Sequence, residues 1–334
     1  MDTLFGDAAE RLFAQTCTPD VIRRAEQGQP PDSAWQACEQ AGFADALVPE
    51  EHGGAGLALA DALPVVLAAG RHLCPHPIAH TLLARAWLSR AGRQPPAGSI
   101  ALAPQGLAID GKRIAGVSVP WARTADHVLA GIGGQAWLLP MRTACIQPNG
   151  VHGSLDAEAS WALEDAERID GPAPLDELAA AAYTALIAGA MDRVLAMTLD
   201  YANQRAQFGK PIGRFQAVQQ QISVMAEHVW AVRMAAQLAF QGDGGLPRPL
   251  LAALGKARAS QAAPVVADIA HAVHGAIGVT EEFDLQLYTR RLRDWRLAGG
   301  SESHWHERIG GDAIAGGADA LSYLRTALYG KEAA

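Results

Sequence analysis

The residues best suited to chemistry lie in one short run, Arg205-Ala206-Gln207-Phe208-Gly209-Lys210-Pro211-Ile212. A guanidinium is a planar fork of N–H donors that matches diphosphate oxygens. The same run also reads as a helix end. Gly209 fits the C′ position, Pro211 blocks continuation, and Arg205 sits in the last turn, where a cation suits the helix dipole. One arginine does not choose between the two readings. Four histidines, His271, His274, His304 and His306, suggest metal by type, but they fall on a loop and a helix start without a carboxylate–histidine spacing. No metal is expected there. Cys17, Cys38, Cys74 and Cys145 are scattered without CxxC spacing and read as reduced, structural thiols.

Such a run must be positioned by helices, and the composition favours them. The chain has 334 residues, 49% hydrophobic, with few aromatics; its apolar windows are rich in Ala and Leu, which are strong helix formers. The expected fold class is α+β, mostly α. Residues 1–95 form an N-terminal α-helical domain. Within it Trp35, Cys38 and Ala41–Gly42 mark a short helix, Asp61 caps the next, and a further helix spans 79–91. Residues 96–173 form a small β domain, with short apolar runs at 100–103, 114–119, 127–130 and 136–139 separated by turn residues. Residues 174–334 form a C-terminal four-helix-bundle domain. Its clearest signal is Phe215, Val218, Ile222, Met225, Val229 and Val232, spaced three and four apart on one helix face. That seam fits a bundle interior or a helical subunit contact. A net charge of −8 argues against nucleic acid. No uninterrupted apolar run approaches a bilayer span and the N-terminus lacks signal-peptide features, so a cytoplasmic protein away from the membrane is expected.

Extended, the run becomes Tyr201-Ala202-Asn203-Gln204-Arg205 through Ile212, followed by Phe215-Gln216-Ala217-Val218-Gln219. This resembles the signature of the acyl-CoA dehydrogenase family. Two distant strings agree with it in order: Val48-Pro49-Glu50 with Gly53-Gly54-Ala55-Gly56-Leu57, and Val273-His274-Gly275-Ala276-Ile277-Gly278-Val279-Thr280. The resemblance covers nearly the whole chain and implies that family's α–β–α fold. It also implies an FAD enzyme that oxidises an acyl-CoA thioester between Cα and Cβ. A carboxylate takes the α-proton, the β-hydrogen leaves as hydride to flavin N5, and an electron-transfer acceptor reoxidises the flavin. By matched position, Arg205 and Gln207 lie near the FAD phosphates, and Phe208, Phe215 and Gln216 near the adenine half. The loop with Gly275 and Gly278 reaches FAD held mainly by a neighbouring subunit, and Ser301 sits beside the flavin.

The departures from the family pattern are as informative. Counted from Gly278, the usual catalytic glutamate falls on Gly299; counted back from Arg205, the alternative one falls on Ala179. Neither residue can accept a proton, so no catalytic residue is assigned. Glu302 and Glu177 lie close by in sequence; Glu302 is read as a solvated or capping acid, with a base role for either residue as the alternative. The family's loop glutamine falls on Ala272 and its second glycine on Ala276. The middle domain keeps only a loose likeness, and Trp121 is read as a core residue. The resemblance is nearest to the short subunits of heteromeric bacterial acyl-CoA dehydrogenases of the steroid side-chain type. It implies a less catalytic chain paired with a homologous partner as an α2β2 assembly. The alternatives are a self-sufficient homo-oligomer using Glu302 or Glu177, and a non-enzymatic acyl-CoA-binding or scaffolding subunit.

Overall fold

The computed structural model describes residues 3–29, 32–171, 173–317 and 319–329. Five helices come first: α1 (Thr3–Thr16), α2 (Pro19–Glu26), α3 (Asp32–Gln40), α4 (Leu59–Arg71) and α5 (Ile78–Arg90). Gly42, with φ of 72°, follows the end of α3, as its place in the sequence predicts. The expected cap at Asp61 is corrected. Helix α4 starts two residues earlier, behind Ala58, which leaves Asp61 in the first turn, where a carboxylate complements the dipole.

Eight strands follow in two sheets. Strands β1 (Ile100–Ala103), β4 (His127–Ile132), β5 (Gln135–Pro140) and β8 (Glu167–Ile169) form one sheet in that order. Its β1–β4 pair is parallel and the other pairs are antiparallel. The second sheet is antiparallel throughout, in the order β2 (Leu107–Asp110), β3 (Arg113–Val119), β7 (Ala157–Ala162), β6 (Cys145–Pro148). The four apolar runs expected as strands lie on β1, β3, β4 and β5; the other four strands carry no such run.

The remaining helices are α6 (Leu175–Gln204), α7 (Gln216–Ala239), α8 (Pro249–His274), α9 (Leu285–Leu297), α10 (Glu302–Ala315) and α11 (Ala320–Tyr329). Two hairpins interrupt them, β9 (Ala206–Gln207) with β10 (Lys210–Pro211), and β11 (Gly242–Asp243) with β12 (Leu246–Pro247). Helix α6 is the centre of the molecule. It packs on α4, α7, α8 and α9, and the run Leu178–Ala190 is buried throughout. Small residues make this possible. A Cβ on Gly70 would collide with the carbonyl of Leu186, and one on Gly189 with that of Leu67, so two glycines let α4 and α6 cross almost backbone to backbone. The apolar stripe of α7 is consumed inside the chain. Met225, Val229 and Val232 are buried against the bundle, while Phe215, Val218 and Ile222 pack on Ala202, Ile212 and Val273. By length and composition α6 and α8 could each cross a bilayer, which the search for uninterrupted apolar runs did not anticipate; α6 is instead largely covered by its neighbours.

Candidate cofactor groove and substrate cleft

Helix α6 stops at Gln204, and Arg205 is its C-cap with extended backbone (φ −72°, ψ 116°). The chain then turns through the β9–β10 hairpin, whose two loop residues, Phe208 and Gly209, have φ of 52° and 80°. Two consecutive left-handed residues are the type I′ solution for a tight hairpin. This corrects the expectation that Gly209 ends the helix. The Ile212 N–H donates to the Arg205 carbonyl at 2.8 Å and ties the far side of the hairpin back to the helix end. Phe208 is 92% exposed in this costly conformation. Its ring meets Phe215 edge-on at 6.2 Å, and Lys210 Nζ lies 4.3 Å from the Phe215 ring centre.

A groove of about 580 Å³ opens beside this hairpin, lined by Tyr201, Arg205, Gln207, Ile212 and residues 272–277. Three of the sequence-selected residues, Arg205, Gln207 and Gly275, therefore share one wall system, although the last is some seventy positions away in the chain. Phe208, Phe215 and Gln216 adjoin the groove through the hairpin and the start of α7 without lining it. Gly278 is buried behind it, where a Cβ would lie 3.0 Å from His274 Cβ. Among the described residues Arg205 has no ion-pair or hydrogen-bond partner for its guanidinium. Sequence reasoning set His274 in the loop that reaches FAD and weighed its side chain only as a metal ligand. It lines the groove, its Nδ1–H donates to the Ala270 carbonyl at 2.7 Å, and its ring stacks on Tyr201 at 4.4 Å. Its Nε2 is buried without a partner.

Ser301 lies elsewhere. It caps α10 by accepting from the His304 N–H at 3.4 Å, next to a second hollow of about 560 Å³ between the strands and the α9–α10 junction. Gly299, Gly300 and His304 line this cleft with Asp156, Asp176 and Asp294. A Cβ on Gly299 would lie 3.4 Å from Ala179 Cβ and 2.9 Å from Tyr183 Cδ2. The two positions, one counted forward from Gly278 and one back from Arg205, thus meet in space, and neither bears a carboxylate. The nearby acids are engaged. Glu302 accepts from Arg296 Nε at 3.1 Å and from Arg296 Nη2, which holds its carboxyl below the usual range. Glu177 is buried and paired with Arg308. Neither lines the cleft.

The carboxylates that do line it were not singled out in the sequence. Burial pushes Asp156 up to about 6, opposed by the Trp121 N–H, which donates to it at 3.0 Å, and by Arg291. Burial raises Asp294 as well. Trp121, expected in the core, is there: it is buried and stacked on Trp295 at 6.4 Å. Under the glycine pair, Lys256 is fully buried. Its Nζ donates to the carbonyls of Arg296 (3.0 Å) and Gly300 (2.7 Å) and to Ser260 Oγ (2.6 Å). Burial pulls it down to about 7, yet three acceptors occupy all three donors of an ammonium.

Comparison with known proteins decides the family. Residues 2–94 match the acyl-CoA dehydrogenase N-terminal domain and residues 178–313 match the acyl-CoA dehydrogenase C-terminal domain. The acyl-CoA dehydrogenase IpdE2 of Mycobacterium tuberculosis is 34% identical over 284 residues, covering 84% of this chain and 87% of that protein. The chain belongs to the acyl-CoA dehydrogenase family. Two solved structures share its fold. One is a variant of the Tcur3481-Tcur3483 steroid ACAD (TM-score 0.81, 24% identity, 94% of this chain and 98% of that one). The other is from the ChsE4-ChsE5 complex of Mycobacterium tuberculosis (TM-score 0.76, 22% identity, 93% and 96%). This member of the acyl-CoA dehydrogenase family thus has a groove beside Arg205 and no carboxylate at Gly299 or Ala179, the two positions reached by counting from the motifs.

Proposed function

We propose that this chain is the less catalytic partner of a two-chain, FAD-dependent acyl-CoA dehydrogenase. It lends the Arg205 groove to FAD held mainly by a homologous subunit, and that subunit supplies the base. One observation carries this reading: Gly299 and Ala179, the positions where counting from the family's motifs sets the base, lie against each other without a carboxylate, and Glu302 and Glu177 are tied to arginines nearby. The groove suits a dinucleotide. Arg205, whose guanidinium has no partner among the described residues, and Gln207, with its amide side chain, line one hollow. FAD, when bound, supplies the hydride acceptor. Arg205 then neutralises diphosphate charge, and Gln207 offers a donor to the same group. Gly275, at φ 65° and ψ −147°, allows close backbone approach in a conformation reserved for glycine. Phe208, Phe215 and Gln216 border the adenine half, Gly278 keeps the loop packed, and Ser301 faces the flavin side.

Pairing as α2β2 with the homologous chain, a cytoplasmic site of action and a steroid-derived acyl-CoA as substrate belong to the same proposal. The pairing and the steroid-derived substrate are supported by likeness to proteins described as a steroid ACAD and as a two-chain complex. The domain divisions near residues 95 and 173 are proposed with it. The test is expression alone and together with the homologous chain, recording flavin absorbance, mass and acyl-CoA oxidation. The expected result is no oxidation by this chain alone, even with added FAD, and a flavin-loaded assembly of both chains. Oxidation by the isolated chain would overturn the reading in favour of a self-sufficient enzyme, and a flavin-free assembly would favour a scaffold.

A further inference from the structure

We propose that His274 is a second phosphate-binding residue of the groove, and that it takes up a proton when a dinucleotide diphosphate seats against Arg205. The inference rests on the reading of the groove given above and extends it to a residue that reading leaves without a role. The ring is fixed on three sides. Nδ1–H is committed to the Ala270 carbonyl at 2.7 Å, Tyr201 covers one face at 4.4 Å and 26°, and Phe283 lies against it at 5.1 Å. With Nδ1 bonded back along its own helix, Nε2 lies on the opposite edge of the ring, buried and without a partner. A buried polar atom left unpaired is costly, so it marks a place where a ligand atom belongs.

The protonation state of the ring decides which ligand atom that is. A neutral ring with Nδ1–H presents a lone pair at Nε2, which repels a phosphate oxygen. A protonated ring presents a donor and a positive charge. Burial, with His271 adding to it, holds His274 below the usual histidine range, and the Ala270 carbonyl opposes this. These surroundings favour the neutral ring until an anion is bound. The surrounding groups favour a change of state once an anion arrives. The groove's lining contains no carboxylate to supply the charge instead. Tyr201 offers an aromatic face to a cation. The other basic groups are Arg205 at the end of α6 and His271 on the same helix, whose Nε2 is within hydrogen-bond distance of Thr289 Oγ1 at 2.9 Å. A diphosphate seated against Arg205 neutralises that charge. Nε2 then gains a proton from solvent and donates it in a hydrogen bond to a phosphate oxygen, with no covalent bond to the ligand made or broken. The position also suits the neighbouring loss: the family's amide side chain in this loop is replaced by Ala272, two residues away.

ADP carries the diphosphate and adenosine half of FAD and is the probe. It is titrated calorimetrically into the purified chain, in buffers of differing ionisation enthalpy, at about pH 6 and about pH 8. The expected result is uptake of roughly half a proton on average across that range, with affinity falling roughly tenfold from the lower to the higher pH. In ¹⁵N-histidine spectra of the wild-type chain, the Nε2 signal of His274 should move to its protonated position on adding ADP. His274→Gln should bind ADP more weakly, without uptake or pH dependence. ADP binding that is lost in Arg205→Ala but involves no uptake, or uptake that persists in His274→Gln, overturns the role of His274 alone. No ADP binding, or binding indifferent to Arg205→Ala, rejects the groove as a dinucleotide site and this inference with it.

Discussion

At the scale of single residues, the balance between Glu302 and Gly299 determines what this chain can do. Glu302 sits in the first turn of α10 with both oxygens on Arg296. An acid held ionised in an ion pair is a poor proton acceptor, and it is three residues out of register with the family's position. Glu302→Gln should therefore leave the activity of the two-chain complex within a few fold, whereas removing a true general base costs on the order of 10²–10⁴-fold. Steady-state oxidation of acyl-CoA by the reconstituted complex checks this, and a loss in the larger range would restore Glu302 as the base. Asp156 gives a second residue-scale test. Its carboxyl titrates near 6 in the folded protein, above the ordinary value of 3.8. The folded state therefore binds the proton more tightly, so this contribution to stability is full below about pH 4 and lost as pH rises through about 6, a ceiling of roughly 3 kcal/mol. Asp156→Asn keeps an acceptor for the Trp121 N–H and removes the charge. Its melting temperature should exceed that of the wild type at neutral pH, and the gap should close in acid. Equal melting curves at neutral pH would show that Arg291 already compensates the charge.

At the scale of elements, legibility followed side-chain chemistry. Helix α7 was readable because its apolar residues recur at helical spacing, and β1 and β4 because they are uninterrupted apolar runs. Strand β7, Ala-Glu-Ala-Ser-Trp-Ala, has no β-branched residue and takes its conformation from pairing with β3 and β6, so nothing local announces it. The Arg205 groove was half legible. Arg205 and Gly275 stand in recognisable strings, but the unpartnered Nε2 of His274 depends on Tyr201, which no spacing rule connects to it. The three acids of the cleft come from β-domain turns and two helices and were invisible for the same reason. The α9–α10 junction joins one such distant contact to local ones. Lys256 reaches from α8 to the carbonyls of Arg296 and Gly300, and the Trp305 indole donates to Gly299 O at 2.9 Å. Lys256→Met would relieve the cost of burying a charge but strand the Gly300 carbonyl and weaken the bonding at Arg296. Unsatisfied buried acceptors cost about 1–3 kcal/mol each, so a net loss of about 2 kcal/mol is expected. It should appear as a lower denaturation midpoint together with faster amide exchange at 299–301. A variant as stable as wild type, with unchanged exchange, would mean that the junction is held by Trp305 alone.

At the scale of the whole molecule, the question is what the helical domain does with its outer surface. The stripe from Phe215 to Val232 invited an interface reading; Met225, Val229 and Val232 are buried within the same chain, while Phe215, Val218 and Ile222 stay half-buried. The opposite side of α7 carries exposed apolar residues. Trp230 and Met234, four residues apart and so neighbours on one helix face, are 60% and 57% exposed, with Arg233 lying over the Trp230 ring at 5.4 Å. A large aromatic and a flexible thioether side by side in water are the residue types that interfaces concentrate at their centres. The groove points the same way, since Arg205, Gln207 and Gly275 face outward from a chain that carries no base of its own at Gly299 or Ala179. Association through the C-terminal helices is therefore expected, with α7 at its centre. The purified chain at micromolar concentration should sediment well above its own 35.1 kDa. Trp230→Glu should lower the weight-average mass while leaving the melting temperature of the separated chain within about 1 °C, because an exposed side chain contributes little to folding. If wild-type protein sediments as a single 35.1 kDa species at every concentration tested, the outer face of α7 is ordinary surface. If Trp230→Glu assembles as well as wild type, the contact lies on other helices.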